Sequence, residues 1–167
     1  MDFSKAATKI ADISLKINAF IDKIKAIYNK YAGIINGYID EFEKVISNLN
    51  KQGAAGIVWV EMKIQVIFKK ISDAVNALLA KINNITKQIK TWYNTTIKRV
   101  KSDVIKATFI KINQPCSDSM AEAMADSIPH PDVESLIPKI EINMPIPPVS
   151  ENIDYLKNIE LKKIPLL

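Results

Sequence analysis

Lys51-Gln52-Gly53-Ala54-Ala55-Gly56 is the stretch on which the fold turns. It carries two of the four glycines and is the one strong turn signal in the first 114 residues. All eight prolines lie at or after Pro115, so no helix breaker interrupts the chain on either side of this turn. Two uninterrupted segments of similar length flank it. Each is helical if its apolar residues recur at helical spacing.

On the N-terminal side they do. Ile10, Ile13, Ile17, Phe20, Ile24, Ile27, Tyr31, Ile34 and Tyr38 alternate steps of three and four, the a/d pattern of a heptad. Phe42, Val45 and Leu49 continue it. The two consecutive steps of four from Ile34 through Tyr38 to Phe42 read as a stutter that locally unwinds a supercoil. Ile21, Tyr28, Ile35 and Ile39 widen the stripe, which favours burial among several partners over a two-stranded coil. Gly33 and Gly37 sit inside the pattern, where each costs about 1 kcal/mol relative to alanine. They mark a bend or a close helix crossing, or they are simply tolerated weak positions.

The C-terminal side repeats the pattern through Phe68, Ile71, Val75, Leu78, Ile82, Ile85, Ile89, Trp92 and Thr96, with Val100, Val104 and Ala107 extending it. Its start is ambiguous, because Val60-Glu61-Met62-Lys63-Ile64-Gln65-Val66 alternates apolar and polar residues as a strand does. Yet Ile57, Val60, Ile64, Ile67 and Ile71 share one helical stripe that runs unbroken into the heptads, so helix is favoured. Two helices of about 45 residues would each reach roughly 70 Å. A short turn makes them antiparallel neighbours. Stripes this wide call for further helices as cover, from other copies or other proteins.

After Pro115 the composition changes. Ser119-Met120-Ala121-Glu122 is a capping-box pattern that opens a short helix reaching about Asp126. Ile128-Pro129-His130-Pro131, Leu136-Ile137-Pro138 and Met144-Pro145-Ile146-Pro147-Pro148 then impose extended geometry. Ile128, Val133, Leu136, Ile137, Ile140, Ile142, Met144, Ile146 and Val149 are apolar side chains in need of cover. Ile140-Glu141-Ile142-Asn143-Met144 alternates like an edge strand, and Ser150 is placed to cap a short helix carrying Ile153, Leu156 and Ile159. Ordering such an arm costs about 1–2 kcal/mol of backbone entropy per residue, so it is stable only along a large existing surface. It staples the helices together or ties the subunit to a neighbour.

Charge divides at the same place. Residues 1–114 hold 19 Lys+Arg against 9 Asp+Glu, net +10, while residues 115–167 hold 4 against 9, net −5. The acidic arm is thus suited to a basic helical surface, its own or that of another copy. With 48% apolar and 25% charged residues the chain has the composition of a globular protein. The single cysteine, Cys116, excludes an intrachain disulfide. No signal peptide is read at Met1-Asp2-Phe3-Ser4-Lys5, and no uncharged apolar run is long enough to cross a membrane.

Few residues could carry catalysis. His130 is the only histidine, held between two prolines; as a general base it would need an orienting acid and a pocket, and Asp132, next but one, is too common a neighbour to count. Cys116 lacks a visible cluster that would activate a thiol. One His and one Cys cannot build a Cys/His zinc site, and no phosphate-binding glycine loop or hydrolase motif occurs. No catalytic, cofactor-binding or metal-binding residue is therefore assigned, and an enzyme is not expected. Asn84-Ile85-Thr86 and Asn94-Thr95-Thr96 match a glycosylation sequon by chance. Lys69-Lys70 and Lys98-Arg99-Val100-Lys101 raise nucleic-acid binding. But the chain has one arginine, and its lysines interleave with the stripe as on a solvated helix face.

The expected fold is mainly α. A coiled-coil-like antiparallel hairpin spans 1–114 (helix about 2–50, turn 51–56, helix about 57–112), and an extended proline-rich arm with short helices spans 115–167. Ile10, Ile13, Ile17, Phe20, Ile24, Ile27, Tyr31, Ile34, Tyr38, Phe68, Ile71, Val75, Leu78, Ile82, Ile85, Ile89 and Trp92 are the interface residues expected on the helices. Ile128, Leu136, Ile137, Ile140, Ile142, Met144, Ile146, Val149 and Leu156 are those expected on the arm. This layout of helical hairpin and proline-rich apolar arm resembles small bacteriophage tail and baseplate components, and the baseplate-anchored C-terminal parts of tape-measure proteins. The resemblance implies a virion structural role, with helices bundled around an axis, arms tying neighbours, and other protein subunits as partners in a homo-oligomer or hetero-assembly. A location in the virion or in the cytoplasm of the producing cell follows. The alternative is a membrane-active helical protein that inserts the apolar run Ile57-Val58-Trp59-Val60 at the hairpin tip, flanked by lysines suited to anionic lipid.

Overall fold

The structure is a computed structural model that describes residues 3–52, 57–137, 139–140, 142, 144 and 153–167. Among these residues it is mainly helical and contains no strand. Helix α1 spans Phe3–Gln52 and α2 spans Ile57–Lys111. Short elements follow: α3 at Asp118–Ser127, a 3-10 turn at Val133–Leu136, and α4 at Ile153–Lys157. Residues 57–66 are helix, as the stripe required. Gly53–Gly56 of the expected turn lie outside the described residues, while Lys51 and Gln52 belong to α1.

Helix boundaries have local causes. Helix α2 ends in a Schellman motif: Asn113 takes a left-handed φ of 58°, its N–H donates to Ile110 O (3.0 Å), and Gln114 N–H donates to Phe109 O (2.9 Å). Asparagine is one of the few residues at ease there, and Pro115 prevents continuation. Helix α3 starts two residues earlier than the capping-box pattern placed it. Ser117, not Ser119, is the N-cap, and its hydroxyl accepts from Met120 N at 3.2 Å. Pro115 and Cys116 hold the chain extended up to Ser117, so the first serine after them takes the cap.

The chain forms two compact units, and the long helices contribute to both. Unit 1 comprises Met1–Ile24 and Asn83–Lys139; unit 2 comprises Lys25–Ile82 and Ile140–Leu167. In each, α1 and α2 are paired antiparallel, since the partner's number on α2 falls as the number on α1 rises.

In unit 1, Lys9 bonds Asp103 at 2.5 Å, and further along α1 the Phe20 ring lies 6.3 Å from that of Trp92, with the Lys16 ammonium 4.5 Å from the Trp92 ring. Ala6, Ile13, Ile17, Ile24, Ile85, Ile89, Tyr93, Val100, Ile105 and Ala107 are buried there. Helix α3 lays Ala121 and Ala125 on Ile105, with Phe109 and Cys116 alongside. Alanines on α3 let its backbone come close to α2, which larger side chains would prevent.

In unit 2, Tyr31, Tyr38 and Phe42 on α1 meet Lys81, Lys70 and Phe68 on α2, the last pair with ring centroids 5.5 Å apart. The buried line of α1 runs through Tyr28, Ala32, Ile35, Ile39, Phe42, Val45 and Leu49. That of α2 runs through Val60, Ile64, Ile67, Phe68, Ile71, Leu78 and Ile82. Leu156 of α4 and Ile164 join this core. Each aliphatic side chain so buried stabilises the folded state by roughly 1.5–3 kcal/mol.

The α1 stripe departs from its sequence reading. Ile27, Tyr31 and Tyr38 are only half-buried, and Ile34 is 38% exposed. The residues expected merely to widen the stripe, Tyr28, Ile35 and Ile39, form its centre. An α-helix drifts about 20° per heptad against a strict seven-residue repeat. Here the drift is absorbed by consecutive steps of four from Ile24 to Tyr28 to Ala32, upstream of the expected stutter at Ile34–Phe42.

Candidate functional site

Among the described residues, three surfaces carry chemistry. The first is the docking of α3 and the 3-10 turn on α2 in unit 1. Lys106 pairs with Asp118, Lys98 with Asp126 (3.3 Å) and Lys90 with Glu134 (3.3 Å). The acidic character of the arm is therefore matched to its own α2. Asp118 lies in the first turn of α3, where a carboxylate also opposes the helix dipole. Its hydrogen bond and charge raise the Lys106 pKa above the ordinary lysine value.

His130 belongs to this docking. The Lys101 ammonium donates to Ile128 O and meets His130 Nδ1 at 2.6 Å, which makes that nitrogen the acceptor. The His130 ring stands 5.8 Å from that of Tyr93, and the Tyr93 hydroxyl donates to Pro131 O at 3.1 Å. Burial, and then the nearby Asp132 carboxylate, raise the Tyr93 pKa. Asp132 itself caps the 3-10 turn through Glu134 N. His130 and Tyr93 thus hold the loop to the helix. Cys116 packs beside Ile105, Ala121 and Ala125, and its thiol donates to Ser117 O. No group of three or more potential metal ligands occurs among the described residues.

A cleft of about 560 Å³ opens beside these pairs, lined by Lys9, Asn94, Thr95, Lys98, Arg99, Ser102, Asp103, Lys106 and Glu122. Its cations do not sum to an anion site, because Lys9, Lys98 and Lys106 each face a carboxylate. The Lys98-Arg99-Val100-Lys101 run is in this way largely engaged within the chain.

The second surface is in unit 2. Asn36 Nδ2 donates to Ile164 O (2.9 Å) while Ile164 N–H donates to Asn36 Oδ1 (2.7 Å). Asn29 makes the same pair with Leu167, at 3.1 and 2.8 Å. Asp40 meets Lys163 at 2.7 Å, and this hydrogen bond and charge raise the Lys163 pKa. Residues 159–167 have no regular secondary structure and are held as a strap along α1 by these side chains. Sequence reasoning missed Asn29, Asn36, Asp40 and Lys163. The available signal was a pair of asparagines seven residues apart, each following a core position, Tyr28 and Ile35.

The third surface is apolar. Val58, Trp59, Met62 and Val66 at the start of α2 are 62%, 49%, 63% and 54% exposed. Val58 and Trp59 are neighbours, each three or four residues before Met62, with Val66 four further on, so the four share the face of the helix opposite the buried Val60, Ile64 and Ile67. Lys63 extends over the Trp59 ring at 5.2 Å.

Of the helical positions expected at an interface, Ile13, Ile17, Ile24, Phe68, Ile71, Leu78, Ile82, Ile85 and Ile89 are buried within the chain. Phe20, Val75 and Trp92 are half-buried, and Ile10 is exposed. In each unit the opposite helix and the returning segments supply cover that the sequence reading sought from other subunits. On the arm, Leu156 is fully buried, Ile137, Ile140, Ile142 and Met144 are half-buried, and Ile128 and Leu136 are exposed. Ile146, Val149 and the cap at Ser150 lie outside the described residues, as do Glu141 and Asn143 of the expected edge strand. No family model, curated protein or solved structure matches the chain.

Proposed function

We propose that this chain is a non-catalytic structural subunit of a multi-protein assembly, a phage tail or baseplate component in which a strapped helical hairpin docks neighbouring subunits. The observation that carries this reading is the Val58, Trp59, Met62 and Val66 face. A chain that packs away most of its Ile-rich stripe leaves four large apolar side chains together on one helix face. Scattered exposed apolar residues are ordinary, but a contiguous apolar face marks a contact surface. The ion-paired docking of α3 and the 3-10 turn on α2 supports the same reading, since Lys98 of the basic run pairs with Asp126 and Lys101 is engaged by Ile128 O and His130. The layout resemblance to tail and baseplate proteins supplies the choice of assembly.

The test is sedimentation velocity over a wide concentration range, joined to density-gradient separation of particles from producing cells. Concentration-dependent association and recovery of the chain with intact particles are expected. A monomer at every concentration that stays out of the particle fractions would refute the reading.

A second reading, membrane activity at the same face, is favoured by Trp59 and Lys63 side by side, an amphipathic pair suited to a lipid interface. No helix among the described residues is long and apolar enough to cross a membrane, so this reading means insertion at the surface. Flotation with anionic liposomes tests it, and a chain left at the bottom of the gradient would end it.

A further inference from the structure

Two exposed helix faces, one in each unit, have complementary chemistry. The first is the Val58, Trp59, Met62 and Val66 face of α2 in unit 2. Lys63 and Lys70, seven residues and about two turns apart, line one edge of it. Both are exposed, and neither pairs with a carboxylate among the described residues. Glu61, the one carboxylate between Val58 and Val66, lies on the opposite flank and is half-buried. This face is therefore apolar with a cationic edge.

The second face belongs to α3 in unit 1, whose inner edge is the buried pair Ala121 and Ala125. On one flank stand Met120 and Met124, with Ile128 at the C-cap, 42%, 39% and 44% exposed. On the other flank, again at steps of four, stand Asp118, Glu122 and Asp126. Asp118 and Asp126 answer Lys106 and Lys98 yet stay 84% and 63% exposed, and Glu122 has no ion-pair partner among the described residues. Between the flanks, opposite the buried alanines, Ser119, Ala123 and Ser127 face outward. Such small side chains let a second helix approach closely. This face is apolar with an anionic edge.

We propose that the α3 face of one copy of this chain docks on the α2 face of the next, joining copies head to tail. The proposal rests on the assembly reading above and names the partner of its apolar face. Methionines meet the Trp59 and Met62 side chains, and the acidic edge meets the lysine edge, with Glu122 set against Lys63. Opposite potentials across a contact fix its register and select the partner. Antiparallel pairing of the α2 face with itself would instead set the Lys63 and Lys70 edges side by side, which like charge disfavours. A contact between two different faces leaves one of each open at the ends, so it propagates from copy to copy into a ring or a filament.

Two full-length variants silence one face each. Trp59→Ser/Met62→Ser removes the α2 face, and Met120→Ser/Met124→Ser removes the α3 face. All four side chains are exposed, and thermal melting of each variant checks that the fold is kept. Sedimentation velocity is run on the unsubstituted chain, on each variant alone and on their one-to-one mixture. Head-to-tail docking predicts that the unsubstituted chain grows beyond a dimer and that each variant alone associates at least about tenfold more weakly. The mixture should form a dimer and stop there, because it holds one working face of each kind. A second pair of changes leaves the apolar residues alone. Lys63→Glu and Glu122→Lys should each weaken association at least about tenfold, and both together in one chain should restore it.

If the α3 variant associates as the unsubstituted chain does, the α2 face has another partner; the proposal is overturned and the assembly reading survives. A mixture that stays monomeric while the unsubstituted chain associates overturns the proposal in the same way, as does a double charge reversal that restores nothing. An unsubstituted chain that is monomeric at every concentration also overturns it. The assembly reading falls with it when the chain is missing from the particle fractions as well.

Discussion

Asn36 and Ile164, 128 residues apart in sequence, are joined by two hydrogen bonds of 2.9 and 2.7 Å that form one closed ring. The contact is partly buried, so solvent cannot fully replace it. Replacing Asn36 by leucine removes a donor and an acceptor while the main-chain partners lose theirs. A cost of about 1–3 kcal/mol is expected, confined to the strap. Hydrogen exchange at the Ile164 amide should accelerate roughly ten- to hundredfold while the circular-dichroism helix signal is retained. Unchanged exchange at Ile164 would show that the ring does not hold the strap.

Gly33 and Gly37 give the opposite sign. A Cβ at either position meets nothing within 4 Å, so neither residue serves a close helix crossing. Alanine should therefore stabilise α1 by about 1 kcal/mol at each site, through helix propensity and a less flexible unfolded chain. Thermal denaturation of G33A, G37A and the double variant checks this. Loss of stability would restore a bend or crossing as their purpose.

Both results bear on what the sequence disclosed. The paired long helices were legible because Pro115 is the first proline and one glycine-bearing turn divides what precedes it. The α2 stripe was legible because Phe68, Ile71, Leu78, Ile82, Ile85 and Ile89 are buried where the heptad places them. In α1 large apolar residues occupy adjacent positions, Ile27 beside Tyr28 and Ile34 beside Ile35, so two registers fit the apolar pattern equally. Packing chose the one through Ala32, a residue too small to count as a stripe position by composition. The Asn29 and Asn36 rings were not legible. Their partners are peptide groups, which every residue has, so the seven-residue spacing of the asparagines marks the helix side of the contact and nothing marks the strap side.

Ser117 makes a sharper test of local reading. Its hydroxyl accepts from Met120 N, while the capping-box pattern had pointed to Ser119. Ser117→Ala should cost about 1 kcal/mol, and Ser119→Ala, inside the first turn, should change stability far less. Because Ala121 and Ala125 carry α3 onto Ile105, the loss at Ser117 should appear as local opening of α3 in exchange measurements before the long helices melt. Equal effects at the two serines would contradict this assignment of the cap.

The strap should also respond to alkali. Lys163 has its pKa raised by the hydrogen bond to Asp40, then by the charges of Asp40 and Glu43. A folded-state pKa above the unfolded value gives stabilisation that is complete below the unfolded lysine range and disappears as pH rises through the folded pKa. Methyl NMR signals of Ile164, which is 8% exposed when the strap is seated, should show the strap loosening only at strongly alkaline pH. Asp40→Asn should loosen it at neutral pH and abolish that alkaline step. The size is modest, since both side chains are about half exposed to solvent.

Trp59 separates the two readings of the exposed face. Its ring is half in water, and Trp92, the other tryptophan, is half-buried beside Phe20 and Lys16. In a Trp92→Phe background the emission of Trp59 reports on that face alone. If the face docks a protein subunit, emission should shift to the blue as the chain associates, and Trp59→Ser/Met62→Ser should abolish association with little change in melting temperature. Exposed apolar side chains contribute little to the fold they stand outside, so stability and association are expected to separate. If the face instead enters lipid, the blue shift should require vesicles and not chain concentration. It should then grow with anionic lipid content, because Lys63, Lys69 and Lys70 on the same helix are drawn to it. A Trp59 emission indifferent both to concentration and to vesicles would leave the face without a partner and remove the observation on which the assembly reading stands.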